Sequence, residues 1–497
     1  MARQIKNIPK ADHLMGSMRS MGYTFESAIA DILDNSISAN CRNIQLYFPN
    51  KPIENSVSIL DDGDGMSNEE LFNAMRYGST ASETERTISD LGRFGLGLKA
   101  ASLSQCRVLT VVSKKEGELS AYRWDYGYIL KNKEWYILKL QDSDIDSIPH
   151  VDDLKAIAHG TLVVWTDFDI IEKSSNGQLY ITLCEYKDKV SKYIALIFHR
   201  YLDARKSNGI TIKLNNHQIV PLDPFLENHN KTKTEREADI ALKDSNGVER
   251  HIKARPFVLP YFKDLSTKDI DKLGGLESLR TKQGFYVYRN ERLIIWGTWF
   301  GMHASDELTK NARIRVDIPN TLDDIWKLDI KKQNASIPKS IQNQLKRKVE
   351  ETMDFSVRQQ THRGRKSNVN EHIDYLWNRL EGRDNTFYYE INRKNRLVEF
   401  IKSQISDEST PYLDMLLEEI ENSIPIQQIY IDQSRNSIVE RDDEEDRLNE
   451  IFQKAVLMVN YGIQLTDAKT VIDNLFLSEP FCSHNEIKER LYKHFQL

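Results

Sequence analysis

The stretch "SVSILDDGDGMS" constrains this chain more than any other, because an apolar run that reads as a strand passes without a spacer into Asp61-Asp62-Gly63-Asp64-Gly65. Gly63 and Gly65, two apart, allow positive φ angles and let a ligand or another backbone approach closely. A carboxylate at the strand end, Asp61, can accept a hydrogen bond from a donor on that ligand, and an exocyclic amine such as that of adenine suits it. A calcium loop would need acidic or amide residues at alternate positions where Met66 and Ser67 stand. An ordinary acidic turn has the same local pattern.

Upstream, "AIADILDNSISAN" lies in a segment whose periodicity predicts a helix over residues 24–37. Asp31 and Asn35 are one turn apart and project together, Asp34 lies on the flank of that face, and Glu26 points away. Ile29, Ile32, Leu33 and Ile37 cover the other side. The polar edge asks for a ligand, although a solvated surface produces the same spacing, and an isolated D-x-x-x-N is a weak motif.

Downstream, "GRFGLGLKAAS" sets Gly92, Gly95 and Gly97 before a helical run beginning near Leu98 and Lys99. Main-chain amides at a glycine-rich helix entry, aided by the helix dipole, form an anion site suited to phosphate. The spacing is neither that of a Walker loop nor the dinucleotide order G-x-G-x-x-G, and a flexible structural loop remains the alternative. A fourth stretch, "HGTLVVWTDF", opens a strong strand at Gly160-Thr161, where Thr161 serves β propensity or a ligand. The polar loop over 77–91 is too long for a plain connection, which marks it as functional or disordered.

A chain of 497 residues exceeds what one core supports, so two or three domains are expected. Alternating helix and strand patterns define an α/β layered domain over 1–170. A second α/β domain is expected over 171–353, a charged linker over 354–370, and mostly helical structure over 371–497. No apolar run approaches the roughly 20 residues that span a bilayer, and the first residues lack a secretory pattern. The expectation is a cytoplasmic protein without a membrane partner. Cys41, Cys106, Cys184 and Cys482 lie far apart without a CxxC pair, which argues against a zinc site or a disulfide framework. A net charge of -6 leaves nucleic-acid contact to a local patch. The basic stretch over 339–366, with Lys346, Arg347, Lys348, Arg358, Arg363, Arg365 and Lys366, is the candidate, although a charge-rich helix and linker are more often just solvated.

Together and in this order, the four motifs resemble the ATP-binding domain of the GHKL superfamily, which includes DNA gyrase, the large heat-shock chaperone, histidine kinases and MutL. The wording of "AIADILDNS" and "GRFGLGLKAAS" most resembles MORC-type ATPases and their prokaryotic relatives. The resemblance implies the two-layer α/β (Bergerat) sandwich, followed by a transducer-like (S5-fold-like) α/β domain. It implies ATP and Mg2+ as cofactors. Asn35 would coordinate the metal, Asp61 would take the adenine amine, and Gly63, Gly65 and Met66 would shape the adenine pocket. Gly92, Gly95 and Gly97 would belong to the lid and phosphate contacts, with the amides of Leu98 and Lys99 continuing the cradle and Thr161 supporting the adenine side.

One position departs from that pattern. Asp31 stands where gyrase, MutL and MORC proteins carry the glutamate that orients the attacking water, so slow hydrolysis is expected, since catalytic geometry tolerates displacement poorly. No phosphoacceptor-histidine helix precedes the domain, which argues against a kinase. A transducer lysine reaching the γ-phosphate would be Lys332, with Lys331 next, in "WKLDIKKQNASIP".

The resemblance further implies an ATP-dependent homodimer acting as a clamp. The process expected is DNA-linked, such as prokaryotic phage defence or restriction, with DNA and a nuclease or helicase as possible partners. A chaperone-like protein clamp and a nucleotide-gated scaffold without turnover are the alternatives.

Overall fold

In the computed structural model the residues described are 9–20, 22–76, 97–203, 209–244, 247–261, 264–305, 309–322, 342, 345–347, 349–350, 352, 374–381, 387–426, 429, 444–462 and 467–497. The chain divides into two units, Met1–Thr361 and His362–Leu497.

The first unit opens with α1 (Ala11–Arg19), α2 (Phe25–Ser38), β1 (Asn43–Tyr47), β2 (Val57–Asp61), α3 (Asn68–Met75) and α4 (Gly97–Gln105). Then come β3 (Val108–Lys115), β4 (Glu118–Asp125), α5 (Tyr126–Asn132), β5 (Leu138–Lys139), α6 (Asp142–Ile145), α7 (Val151–Ala156) and β6 (Gly160–Thr166). It continues through α8 (Asp169–Ser174), α9 (Leu179–Ile197), β7 (Thr211–Leu214) and β8 (His217–Gln218). These strands form one sheet in the order β5-β4-β3-β6-β2-β1-β7-β8. Every pairing is antiparallel except β1 with β7.

Strand β2 lies near the centre and is buried at all five positions, so its side chains serve both faces of the sheet. Val57 and Ile59 meet the helical layer, where Ile29 and Ile32 of α2, Leu103 of α4 and Ile194 of α9 share one core. On the opposite face Leu60, Val112, Leu162 and Val164 pack against Ile145, Ile148, Val151 and Leu154 around α6 and α7. Burying each such aliphatic side chain contributes about 1.5–3 kcal/mol, which anchors the end of β2 where Asp61 sits.

Helix α2 begins because the Thr24 side chain accepts the Ser27 N–H, and it runs without Gly or Pro to Ser38. Its residues are buried almost all round, as in a core helix. The sheet does not stop at residue 170: β7 adds beside β1 in parallel. A parallel neighbour needs a long crossover, and α9, within that crossover, packs in the same layer as α2.

The second sheet holds β9 (Lys233–Thr234), β10 (Ala238–Lys243), β11 (Glu249–Val258), β12 (Gly284–Arg289), β13 (Arg292–Thr298) and β14 (Ala312–Ile318). Its order is β10-β11-β14-β12-β13, with β9 beside β11. One face carries its own core, including Ile252, Phe285, Ile314 and Val316. From the other, Phe257, Tyr286 and Tyr288 join the core of the first sheet. Strands β12 and β13 close on the Arg289–Arg292 pair, joined by Asn290 and Glu291 at φ 47° and 66°, the backbone of a type I′ hairpin turn.

The second unit contains β15 (Trp377–Glu381) and β16 (Phe387–Ile391), paired antiparallel. Helices Arg396–Gln404, Thr410–Asn422, Glu444–Gly462, Ala468–Leu475 and Asn485–His494 follow, with Ala455, Val459, Ile472, Ile487 and Leu491 among its core residues. The fold is thus an α/β sandwich with a mostly antiparallel sheet and a largely helical C-terminal region. Among the described residues, no helix is long and apolar enough to cross a membrane.

Candidate functional site

The register of β2 against β6 sets Asp61 opposite Thr161, so the carboxylate stands at the end of the central strand. It is only 5% exposed. Its Oδ2 accepts from Ser36 Oγ at 2.7 Å and its Oδ1 from the Gly63 N–H at 3.0 Å, and the Thr161 backbone donates as well. Burial pushes its pKa up to about 6 against the pull of these three donors. The result is a fixed acceptor held between α2, the glycine turn and β6.

That turn is shaped by close approach. A Cβ on Gly63 would stand 2.8 Å from the Ala39 carbonyl, and one on Gly65, at φ +67°, 2.1 Å from the Lys114 carbonyl. The Gly63 carbonyl lies 2.6 Å from His159 Nδ1. The Met66 N–H donates to Ser113 Oγ at 2.8 Å, and Ser113 Oγ lies 3.0 Å from Thr161 Oγ1. Asp61, Gly63, Gly65, Met66 and Thr161 are therefore brought together. Ser36, Ser113 and His159 complete their support but were absent from the sequence reading. Ser36 had a signal, being a hydroxyl next to Asn35 on a helix that already carries a polar edge.

Along α2, Asn35 is the one exposed residue between Ser27 and Ser36, which leaves its amide free of the core. Asp31 and Asp34 are buried. The Tyr23 hydroxyl donates to Asp31 Oδ2 at 3.0 Å. From the second sheet, Arg292 brings Nη2 to 3.5 Å from Asp31 Oδ1 and Nε to 2.8 Å from Asp34 Oδ1. Burial works against the charge of Arg292, but Asp34 and Asp31 outweigh it and hold the guanidinium above its usual pKa. Asp34, read from its spacing as a flanking residue, either a supporting or a surface carboxylate, is enclosed, because a distant arginine covers the flank of α2.

Helix α4 points its first turn at this edge: a Cβ on Gly97 would lie 3.8 Å from Asp31 Oδ2. The first N–H groups of a helix lack intrahelical partners, so the main chain at Gly97, Leu98 and Lys99 can face an anion. Leu98 packs against the first core. The Lys99 side chain turns inward and donates to the carbonyls of Ala74 and Arg76, both at 2.8 Å, at the C-terminal end of α3. Burial lowers its pKa to about 8. The ammonium is thus committed to the end of α3, and it is the N–H of Lys99 that belongs to the first turn of α4. Gly92, Gly95, Lys331, Lys332, the loop over 77–91 and most of the basic stretch over 339–366 lie outside the described residues.

Residues 23–161 match the family model described as histidine kinase-, DNA gyrase B-, and HSP90-like ATPase. The matched stretch contains every described site residue of the first sheet and its helices. Among curated proteins, the chain is similar to the ATPase morc-1 of Caenorhabditis elegans, 32% identical over 119 residues, which is 23% of this chain and 14% of that protein. It is also similar to the ATPase MORC2B of Mus musculus, 27% identical over 112 residues, 22% of this chain and 11% of that protein. The chain thus spans less than a sixth of the length of these relatives, and the likeness lies in an ATPase domain of the GHKL type with MORC-like wording.

Proposed function

We propose that the first unit binds ATP with Mg2+ and hydrolyses it slowly. The observation that carries this reading is Asp61, a buried carboxylate held by Ser36, Gly63 and Thr161, which suits the single amine donor on the adenine edge. Gly63 and Gly65 let the Ala39 and Lys114 carbonyls close against the turn, which fixes the backbone beside Asp61. Magnesium, when bound, would supply charge neutralisation for the phosphates, and such a metal needs only one or two protein ligands. Asn35, exposed on α2, is the fitting ligand.

Asp31 acts as the base that orients water. Its two oxygens are engaged by Tyr23 and Arg292, and it lies beside the first turn of α4. Being one methylene shorter than glutamate, it makes turnover slow. Gly92, Gly95 and either Lys332 or Lys331 complete the phosphate contacts in this reading. Calorimetric titration with ATP and Mg2+ tests it: wild type binds, and Asp61→Asn loses most of its affinity. Equal affinity in both would contradict the adenine assignment.

ATP also drives dimerisation in this reading, by favouring a closed dimer over the open form. The reading is supported by the MORC-like and gyrase-like wording of the motifs. Light scattering with a non-hydrolysable ATP analogue tests it, and an unchanged monomer would sink the clamp. The process served is DNA-linked, such as prokaryotic phage defence with a nuclease or helicase partner. Duplex affinity that falls steeply with salt is expected for that role, whereas a chaperone-like clamp would show none.

A further inference from the structure

We infer that Arg292 is a positioning residue for Asp31, and that through it the second sheet governs whether the site can orient water. The inference rests on the reading of the first unit as an ATP hydrolase.

Arg292 follows directly on the type I′ turn, and that turn is pinned from outside its own sheet. The Tyr201 hydroxyl donates to the Asn290 carbonyl. Arg200 lies 3.4 Å from Glu291 and also pairs with Asp317 of β14. The Phe198 ring lies 5.7 Å from the guanidinium of Arg292. These three residues follow α9, which packs in the same layer as α2. The backbone that carries Arg292 therefore has little freedom where it meets Asp31 and Asp34.

At the far end, Asp31 is held at two points of different origin. Oδ1 faces Arg292 from the second sheet, and Oδ2 takes the Tyr23 hydroxyl from the segment before α2. A hydrogen bond at Oδ2 and the charge of Arg292 beside Oδ1 orient the carboxylate, and a base must present its lone pair in a set direction to take a proton. If the hairpin shifts, the plane of Asp31 shifts with it, while the acceptor at Asp61, held by Ser36, Gly63 and Thr161, is untouched. The second sheet thus sets the orientation of Asp31 without touching the acceptor at Asp61.

The test separates rate from affinity in the full chain, with Arg292→Gln, which removes the charge, and Arg292→Lys, which keeps it without the planar fork. Turnover is read as kcat, and affinity as the Kd of a non-hydrolysable ATP analogue. Arg292→Gln is expected to lower kcat by on the order of tenfold to a hundredfold with Kd changed by less than about twofold, and Arg292→Lys is expected to recover part of the loss. Should Arg292→Gln fail to fold, Arg292→Lys decides alone: reduced kcat at unchanged Kd supports the inference, and wild-type kcat overturns it. Rate and affinity falling in equal proportion also overturn it. A wild type that neither binds nor hydrolyses ATP would remove the underlying reading, whereas an active wild type with equally active variants would remove only the role of Arg292.

Discussion

Arg292 of β13 places its Nε 2.8 Å from Oδ1 of Asp34 in α2, with 3% and 1% of the two side chains exposed. Asp31 shares the same guanidinium at 3.5 Å. Removing one partner from a buried pair strands the other charges, which costs about 3–5 kcal/mol. Arg292→Met is therefore expected to lower the unfolding free energy of the first unit by an amount of that order, read from urea denaturation followed by tryptophan fluorescence. Adding Asp34→Asn to Arg292→Met should restore part of it, because one stranded charge is gone.

If Asp61 takes the adenine amine as proposed, nucleotide binding is expected to depend on pH. With its pKa raised to about 6 by burial, it is charged and accepting above that value and takes a proton as pH falls through it. Both of its oxygens already face protein donors, so the added proton has no good place, and ATP affinity is expected to fall below about pH 6. The folding contribution has the opposite sign. Between the ordinary 3.8 and about 6 the folded chain holds a proton that the unfolded chain releases, so this group stabilises the fold less as pH rises through that window. Titrations at pH 5, 6 and 7.5 (assay conditions on the order set by this pKa) check the first trend.

Gly65 tests the shape of the adenine side. Its φ of +67° and the 2.1 Å approach to the Lys114 carbonyl leave no room for a methyl group. Gly65→Ala is expected to cost about 1–3 kcal/mol of stability and to weaken nucleotide binding, read by thermal melting with and without ATP.

Lys99 separates main-chain from side-chain roles at the phosphate end. Its ammonium satisfies the Ala74 and Arg76 carbonyls, so Lys99→Met is expected to destabilise by about 1–3 kcal/mol. ATP affinity should stay near that of wild type if, as proposed, the phosphate cradle uses the N–H of this residue. A large loss of affinity in a folded Lys99→Met would show that the ammonium itself meets phosphate.

Much of this architecture is legible from local pattern. The helix expected over 24–37 is α2 at Phe25–Ser38, and the apolar run before the acidic turn is the buried β2. Asp61, Gly63 and Thr161 announce themselves because a strand end, a glycine pair and a second strand start are each local signals. Asp34 does not. Its enclosure depends on Arg292, far away in the chain, and helical spacing carries no information about what packs on a flank. The hairpin carries a local signal, since Asn290-Glu291 interrupts a run of apolar and aromatic residues, and an arginine opening the apolar "RLIIW" is a charge that needs partners if buried. The continuation of the first sheet into β7 escaped for a similar reason: the pattern changes at α9, but a crossover helix returns the chain to the sheet it left.

The central claim is that Asp31 and Asn35 work on ATP at this edge of α2. Steady-state release of phosphate from ATP with Mg2+, compared among wild type, Asp31→Asn and Asn35→Ala, tests it most directly. The account predicts slow turnover in wild type and none above background in either variant, with Asp31→Asn still binding nucleotide. Equal turnover in all three would contradict it.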